Sequence, residues 1–325
     1  MKRIRLNIFL LFLKTMRFGY SVRDPQIHTY PEIRDLTVKV EGLGFESVHI
    51  TDHFMRAGVT KVLDDTIKKE PFLESTTLLA ALATETERIK LGHVVLCNSY
   101  RNPAYLAKVI LTLDHISNGR ALLWLGAGWN PDEYRAYGYS FPSPKRRVDE
   151  LEESLIIYKK IFTEDETNFE GNFWKLDSHR NFPKSIQQPY PQIVLGSNGM
   201  RMIDIACREA DGINLPCIIP RDQKRYRERI PTIIERLKFH NHERSDFEIS
   251  LYTHITIVGS QESLERLRKE RKIFKSNLKY IFMGELEVIQ DKINELEDLG
   301  VEKMVIVVES PDIEDPLSVF CKEIM

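Results

Sequence analysis

The sequence predicts an α/β fold in which eight strand-like runs alternate with helices, the count and order of a (β/α)8 TIM barrel. Two observations carry this. First, Gly92–Gly138 holds one complete βαβ unit: Val94, Val95 and Leu96 form a short apolar run, polar residues Cys97–Asn102 follow, a helix opens at Pro103, and Ala121–Leu125 form a second apolar run. Such a crossover is parallel and right-handed, and the loops at the carboxyl ends of its strands are where α/β folds place ligands. Second, the same rhythm continues from Arg17 to Val308. A doubly wound sheet fits that rhythm as well as a barrel does. The 325 residues, 42% of them apolar, suffice for one large barrel or two medium domains.

Taken in order, Arg17–Val22 is the first strand, and a helix over Ile33–Leu43 stops at Gly42-Leu43-Gly44. Phe45–Thr51 alternates as strand two and runs into Asp52-His53-Phe54. The loop to Leu73 is long and charged, a kind that carries function at this end of a barrel. LLAALATETER is an amphipathic helix with Ser75 or Thr76 as its N-cap. Ile89–Leu96 is strand three. The helix from Pro103 turns Leu106, Val109, Ile110 and Leu113 inward and ends at Asn118-Gly119. Ala121–Leu125 is strand four, followed by a helix, VDELEESLIIYKKIF, with Leu151, Leu155, Ile156 and Ile161 inward.

Thr163–Pro191 breaks the rhythm. NFEGNFWKL reads as a hairpin turning at Glu170-Gly171, and Pro183, Pro189 and Pro191 stiffen the rest, so this is an insertion between strands four and five. Gln192–Leu195, Asp211–Leu215, Phe247–Val258 and Lys303–Val308 complete the strands. MRMIDIACREA, Arg221–Lys238, Glu262–Lys272 and Leu286–Leu299 are the helices between and after them.

A net charge of −2 and 29% charged residues describe an ordinary surface with no general affinity for nucleic acid. Cys97, Cys207, Cys217 and Cys321 lie far apart with no CxxC, as reduced thiols of a cytoplasmic protein do. Lys2, Arg3 and Arg5 before Ile8–Leu13 imitate a signal peptide. The apolar run is short, no small-residue cleavage site follows, and it is too short to span a bilayer. No membrane association is expected.

SYRNPAYLAKVILTLDHISNGR followed by LGAGWNPDEYRAYG resembles the luciferase-like (bacterial luciferase superfamily) flavin-dependent oxidoreductases, and the likeness is greatest to the branch that uses coenzyme F420, a deazaflavin. The resemblance runs from about Arg17 to Val308 and is strongest from Phe45 to Asn214. It implies the barrel rather than the doubly wound sheet, and hydride transfer to or from a small organic substrate on F420. FMN is the alternative cofactor. There, reduced flavin would activate dioxygen and a flavin reductase would be the partner. A non-catalytic flavin-binding relative is the third reading. The resemblance also places the first strand near the initiator methionine. Residues 1–15 are therefore expected to be an extension or a mis-called start, and 16–325 a single domain. A homodimer through barrel helices suits such a fold, though no pattern in the sequence marks it.

Asp52-His53 follows strand two, and an imidazole there can donate or accept a proton near neutral pH. Alone, the pair reads equally as a loop cap. The resemblance makes His53 the polar catalytic group and Asp52 its neighbour or a cofactor contact. Asp114-His115 repeats the dipeptide at a helix C-terminus, where a cationic imidazole complements the dipole, and is read as structural. Val94, Val95, Cys97 and Asn98 close strand three as core and loop. The resemblance puts them against the cofactor ring, with a non-proline cis peptide at Val94–Val95.

Gly126-x-Gly128 is weak evidence by itself. By resemblance it lets Trp129 and Asn130 approach the ring. In the family's sugar-phosphate dehydrogenases a glutamate matches position 129, so that proton-transfer role is absent here or has moved. Glu133 is the best remaining acid, or else a solvated carboxylate at a helix start. Gly196-Ser197-Asn198-Gly199 leads into a helix whose free N–H groups attract an anion. The family's cofactor phosphate would lie there, with Arg201 adding charge. His28, His49, His93, His179, His240, His242 and His254 show no ligand spacing, and His240-x-His242 is read as solvated. No HExxH, GxSxG or Walker loop occurs, so neither a metal site nor a nucleophile motif is expected.

Overall fold

Parallel pairing runs all the way round the molecule. The structure, a computed structural model, describes residues 16–22, 29–55, 72–217, 220–273 and 282–325. The expected extension 1–15, His28 and most of the loop after His53 lie outside them. The strands are β1 (Arg17–Ser21), β2 (Ser47–Ile50), β3 (Lys90–His93), β4 (Leu96–Cys97), β5 (Leu123–Gly126), β6 (Glu166–Glu170), β7 (Lys175–Arg180), β8 (Ile193–Gly196), β9 (Gly212–Pro216), β10 (Glu248–Ile257), β11 (Phe282–Gly284) and β12 (Lys303–Glu309).

β1 pairs with β2 and β12, and β2 with β3. A parallel bridge from Leu91 to Ala121 and the β4–β5 pairing carry the ring onward. It returns through β8, β9 and β10 to β12. With β3 and β4 sharing one stave, the ring closes as a parallel barrel and the doubly wound sheet is excluded. Two features depart from the expected strands. Strand three is broken in two at Val94–Val95, and β11 is an added short strand along the end of β10. The insertion is the antiparallel hairpin β6–β7.

Alternation along each strand builds two cores. Phe18, Tyr20, Val48 and Leu91 point outward to the helices. Leu122, Trp124, Val194, Tyr252, Val305 and Val307 fill the barrel. A β-carbon on Gly19 would lie 2.5 Å from Ser47 Oγ and 3.3 Å from the His49 ring, so only glycine leaves room for that imidazole. His49 lies against Trp124, with ring centroids 4.4 Å apart, and Lys303 Nζ sits 5.3 Å from the same indole. Below them Glu46 gathers Lys303 (3.2 Å), Lys90 (3.1 Å) and Arg17 (3.0 Å) at the amino end of the barrel. Burial raises the Glu46 carboxyl, but the three cations outweigh it and hold it at about 2.

The helices that frame the mouth are α1 (Tyr30–Gly42), α2 (Ser75–Thr84), α3 (Pro103–Ile116), α4 (Pro131–Ala136), α5 (Pro144–Thr163) and α6 (Met200–Glu209). A proline in the first turn starts α1, α3, α4 and α5. Glu74, not Ser75 or Thr76, caps α2, accepting the Thr77 N–H at 2.7 Å. Its longer side chain reaches back to the same donor and leaves the Ser75 hydroxyl free for another partner. Ile156 is 42% exposed, contrary to expectation. Five residues past Leu151 it points about 140° away, while Tyr158 and Phe162 keep to the buried stripe.

Asp114-His115 lies in the last turn of α3, as expected, and is structural. The buried Asp114 carboxylate accepts from Ser185 Oγ, the Ile186 N–H and Gln187 Nε2, and the His115 ring meets the Lys184 carbonyl at 2.7 Å. The pair ties the end of the insertion to α3. His240 and His242 are half-buried rather than solvated, against Asp204 and the Cys207 carbonyl. All four cysteines are free thiols. Among the described residues no helix is long and apolar enough to cross a membrane.

Candidate active site

The break in strand three shapes the floor of the site. The Val94–Val95 peptide is cis, as the resemblance implied. The Val95 side chain occupies the space where β-carbons on Gly126 and Gly196 would be, 2.7 Å and 2.8 Å from its methyls. Two glycines on neighbouring staves thus admit one valine as the base of a cavity. That cavity, about 800 Å³, opens at the carboxyl ends of the strands. His53, Trp129, Arg147, Met202 and Tyr252 are among its walls.

On one side stands His53. Its Nδ1 lies 2.8 Å from Oε2 of Glu133, and Glu133 is 0% exposed. The other carboxylate oxygen accepts the N–H groups of Phe54 and, at 3.4 Å, Met55. Burial raises the Glu133 carboxyl, but the hydrogen bond and charge of His53 and the Phe54 N–H together bring it below the usual carboxylate range. Glu133 therefore stands behind His53 as a fixed acceptor. It lies in the first turn of α4 and lines the cavity, but it is buried rather than solvated.

Asp52 is equally committed. Its oxygens accept from Ser75 Oγ (2.7 Å), the Cys97 N–H (2.8 Å) and both Nη atoms of Arg101 (2.7 and 2.9 Å). Burial raises its carboxyl and Arg101 more than reverses that. With its lone pairs filled by protein donors, Asp52 is a clamp that joins the ends of β2 and β4 to α2 at the edge of the cavity. Arg101, which also holds Glu74 at 2.9 Å, was not singled out in the sequence, where it reads as one more loop charge. His93 lies buried close by, and burial lowers it to about 4.

The opposite end of the cavity suits an anion. Gly199 caps α6 without a side-chain bond, so the first turn presents its N–H groups. Ser197 Oγ accepts the Gly199 N–H at 3.0 Å, and Asn198 Nδ2 donates to the Pro216 carbonyl. Arg147 lines the same cavity and is the residue the sequence reading missed. It is 7% exposed, lies 4.1 Å over the Phe141 ring, donates from Nη1 to the Pro142 carbonyl, and leaves Nε without a partner. Arg201, in contrast, points to Asp149 and Glu152 on α5.

The remaining expected residues divide. Trp129 is 63% exposed at the mouth, its ring edge-on to His53 at 5.8 Å. Asn130 caps α4 and reaches Glu133 at 3.4 Å. Cys97 lines the cavity, but its thiol meets Tyr134 Oη at 3.1 Å and burial pushes it up to about 11, so it stays neutral. Asn98 does not reach the cavity. Its amide is buried between Ser154 Oγ (3.2 Å) and Tyr158 Oη (3.3 Å), because the short helical turn after β4 rotates it toward α5. Among the described residues no group of three or more His, Cys, Asp or Glu is arranged to hold a metal ion.

The cavity thus has Val95 at its floor, His53 on its wall and the uncapped first turn of α6 at its edge. A family profile for luciferase-like monooxygenases matches residues 6–308. The chain belongs to the luciferase-like monooxygenase family. Among curated members, it is 30% identical over 225 residues to an F420-dependent glucose-6-phosphate dehydrogenase of Intrasporangium calvum, covering 67% of this chain and 63% of that protein. It is 32% identical over 138 residues to an FMNH2-dependent dimethylsulfone monooxygenase of Pseudomonas putida, covering 42% and 38%. The chain thus spans less than two thirds of the curated relatives it matches. A solved F420-dependent secondary alcohol dehydrogenase, holding an F420–acetone adduct, superposes with a TM-score of 0.76 at 18% identity over 95% of this chain and 98% of that one. At that identity the likeness speaks for the fold.

Proposed function

We propose that this luciferase-like protein is a coenzyme F420-dependent oxidoreductase acting on a small organic alcohol or carbonyl compound. The observation that carries the proposal is the pairing of a cavity-lining His53 with a buried carboxylate in the same cavity as the buried guanidinium of Arg147, whose Nε has no hydrogen-bond partner among the described residues. The residues present fit such a cofactor. Arg147 Nε and the first turn of α6 would hold its phosphate, and Val95, between Gly126 and Gly196, would support its ring. When bound, F420 supplies a ring carbon that accepts or gives a hydride. The chain's own part is to seat the substrate over that floor, exclude water with the aromatic wall at the mouth, and move one proton at His53. Asp52, Glu74 and Arg101 hold the loops that position these groups.

A second reading, an FMN-dependent monooxygenase with a separate flavin reductase, is supported by the likeness to the dimethylsulfone enzyme. Titration of purified protein with F420 and, in parallel, with FMN separates the two, read by cofactor fluorescence. Binding of F420 at least tenfold tighter than FMN is the expected result. The reverse order overturns the F420 reading in favour of oxygen chemistry, and binding of neither points to a non-catalytic relative.

A further inference from the structure

The groups that meet the Glu133 carboxylate, the Tyr100 hydroxyl among them, are donors. Phe54 and Met55 N–H groups meet Oε1, while His53 Nδ1 and Asn130 Nδ2 meet Oε2. A carboxylate only accepts, so Nδ1 must carry a hydrogen. A neutral imidazole has one ring hydrogen, which leaves Nε2 bare at the far edge of the ring. Among the described residues nothing bonds to Nε2, and His53 lines the cavity there.

We propose that Glu133 is a positioning residue that holds His53 in the Nδ1–H tautomer, so that a bare Nε2 faces the cavity and accepts the proton of a substrate hydroxyl. The hydroxyl class rests on the oxidoreductase reading; the tautomer does not. When an alcohol carbon gives its hydride, with both electrons, to oxidised deazaflavin, its O–H bond must break as the C=O bond forms, and the proton bonds to Nε2. Carbonyl reduction runs the same bonds backward, with Nε2–H as the donor. Glu133 stays ionised in both directions. It steadies the imidazolium without taking its proton, and the wrong tautomer at such a site costs about 10⁴-fold in the best-studied triad.

The arrangement makes Glu133→Gln an informative variant. Two backbone N–H groups require an acceptor on the Oε1 side, so the glutamine oxygen stays there. Its NH2 then faces Nδ1 and donates, which forces the hydrogen onto Nε2 and removes the base. The test is a ¹H–¹⁵N correlation of ring nitrogens in cofactor-free protein labelled at histidine, recorded from about pH 6 to about pH 10 to reach the neutral form. His53→Asn identifies the His53 signals by their loss. In the native protein Nδ1 is expected to be protonated and Nε2 to show the downfield shift of a bare nitrogen, with the two exchanged in Glu133→Gln. A native spectrum with Nε2 protonated overturns the proposal, as does an unchanged tautomer in the variant. Should the variant not fold, the native spectrum decides alone. Expected spectra together with no F420 binding would sink the cofactor reading and leave the tautomer standing. F420 binding with the opposite tautomer would do the reverse.

Discussion

Arg147 is a charge enclosed by the fold with one donor still unspent. A hydrogen bond to a charged group contributes about 1.5–3 kcal/mol, which is about 10- to 100-fold in affinity. Arg147→Met is therefore expected to weaken FMN or F420 binding by about that factor, while Arg147→Lys, which keeps the charge but loses the planar fork, falls between. Parallel titration with a phosphate-free flavin is the check: its affinity should not move, and an equal loss there would make Arg147 a packing residue. In the sequence Arg147 was not legible. Lys145-Arg146-Arg147 at a helix start reads as a solvated run, and only the tertiary seat on Phe141 shows which of the three turns inward. His53 was legible as a candidate through the family resemblance, since the Asp52-His53 pair alone reads as a loop cap. The role of Glu133 was not, since its partner is eighty residues away and burial, not spacing, decides whether a carboxylate donates or holds.

At the element scale the broken third stave shapes the site. Its apolar residues read as one strand from Ile89 to Leu96, since periodicity cannot reveal a turn inside an apolar run. In the sequence Gly126 reads as room for Trp129 and Asn130 to approach a ring and Gly196 as part of an anion-binding helix start, whereas in the fold both leave space for Val95. Gly196→Ala would set a methyl 2.8 Å from a Val95 methyl, an overpacking that costs about 1–3 kcal/mol. Val95→Ala removes the colliding atoms, so the double variant is expected to recover most of the loss. Thermal or urea unfolding of the four proteins measures the coupling, and simple additivity would show that the two side chains do not share that space.

The barrel as a whole separates its chemistry from its anchorage. The carboxyl end carries the cavity, while the amino end is tied by Glu46 to Arg17, Lys90 and the buried Lys303, which come from three different staves. The eight alternating strands and helices were legible from pattern, and their closure into a barrel from the family resemblance; this tie was not, because its members lie far apart in the chain and each alone reads as a surface charge. Removing the carboxylate strands Lys303 beneath Trp124, so Glu46→Gln is expected to cost about 2–4 kcal/mol near neutral pH, somewhat below the roughly 3–5 kcal/mol for breaking a fully buried pair because Glu46 is partly exposed. The sign with pH follows from the direction of the shift. Glu46 is held at about 2 in the folded chain, below its ordinary 4.5, so its contribution is complete above about 4.5 and is lost as pH falls toward about 2. Urea unfolding of both proteins at a series of pH values should show their stability difference constant from pH about 7 to about 5 and narrowing below that. A difference that stays constant down to the acid limit would mean that Glu46 acts through packing, and that Lys303 is held by the indole and the strand ends alone.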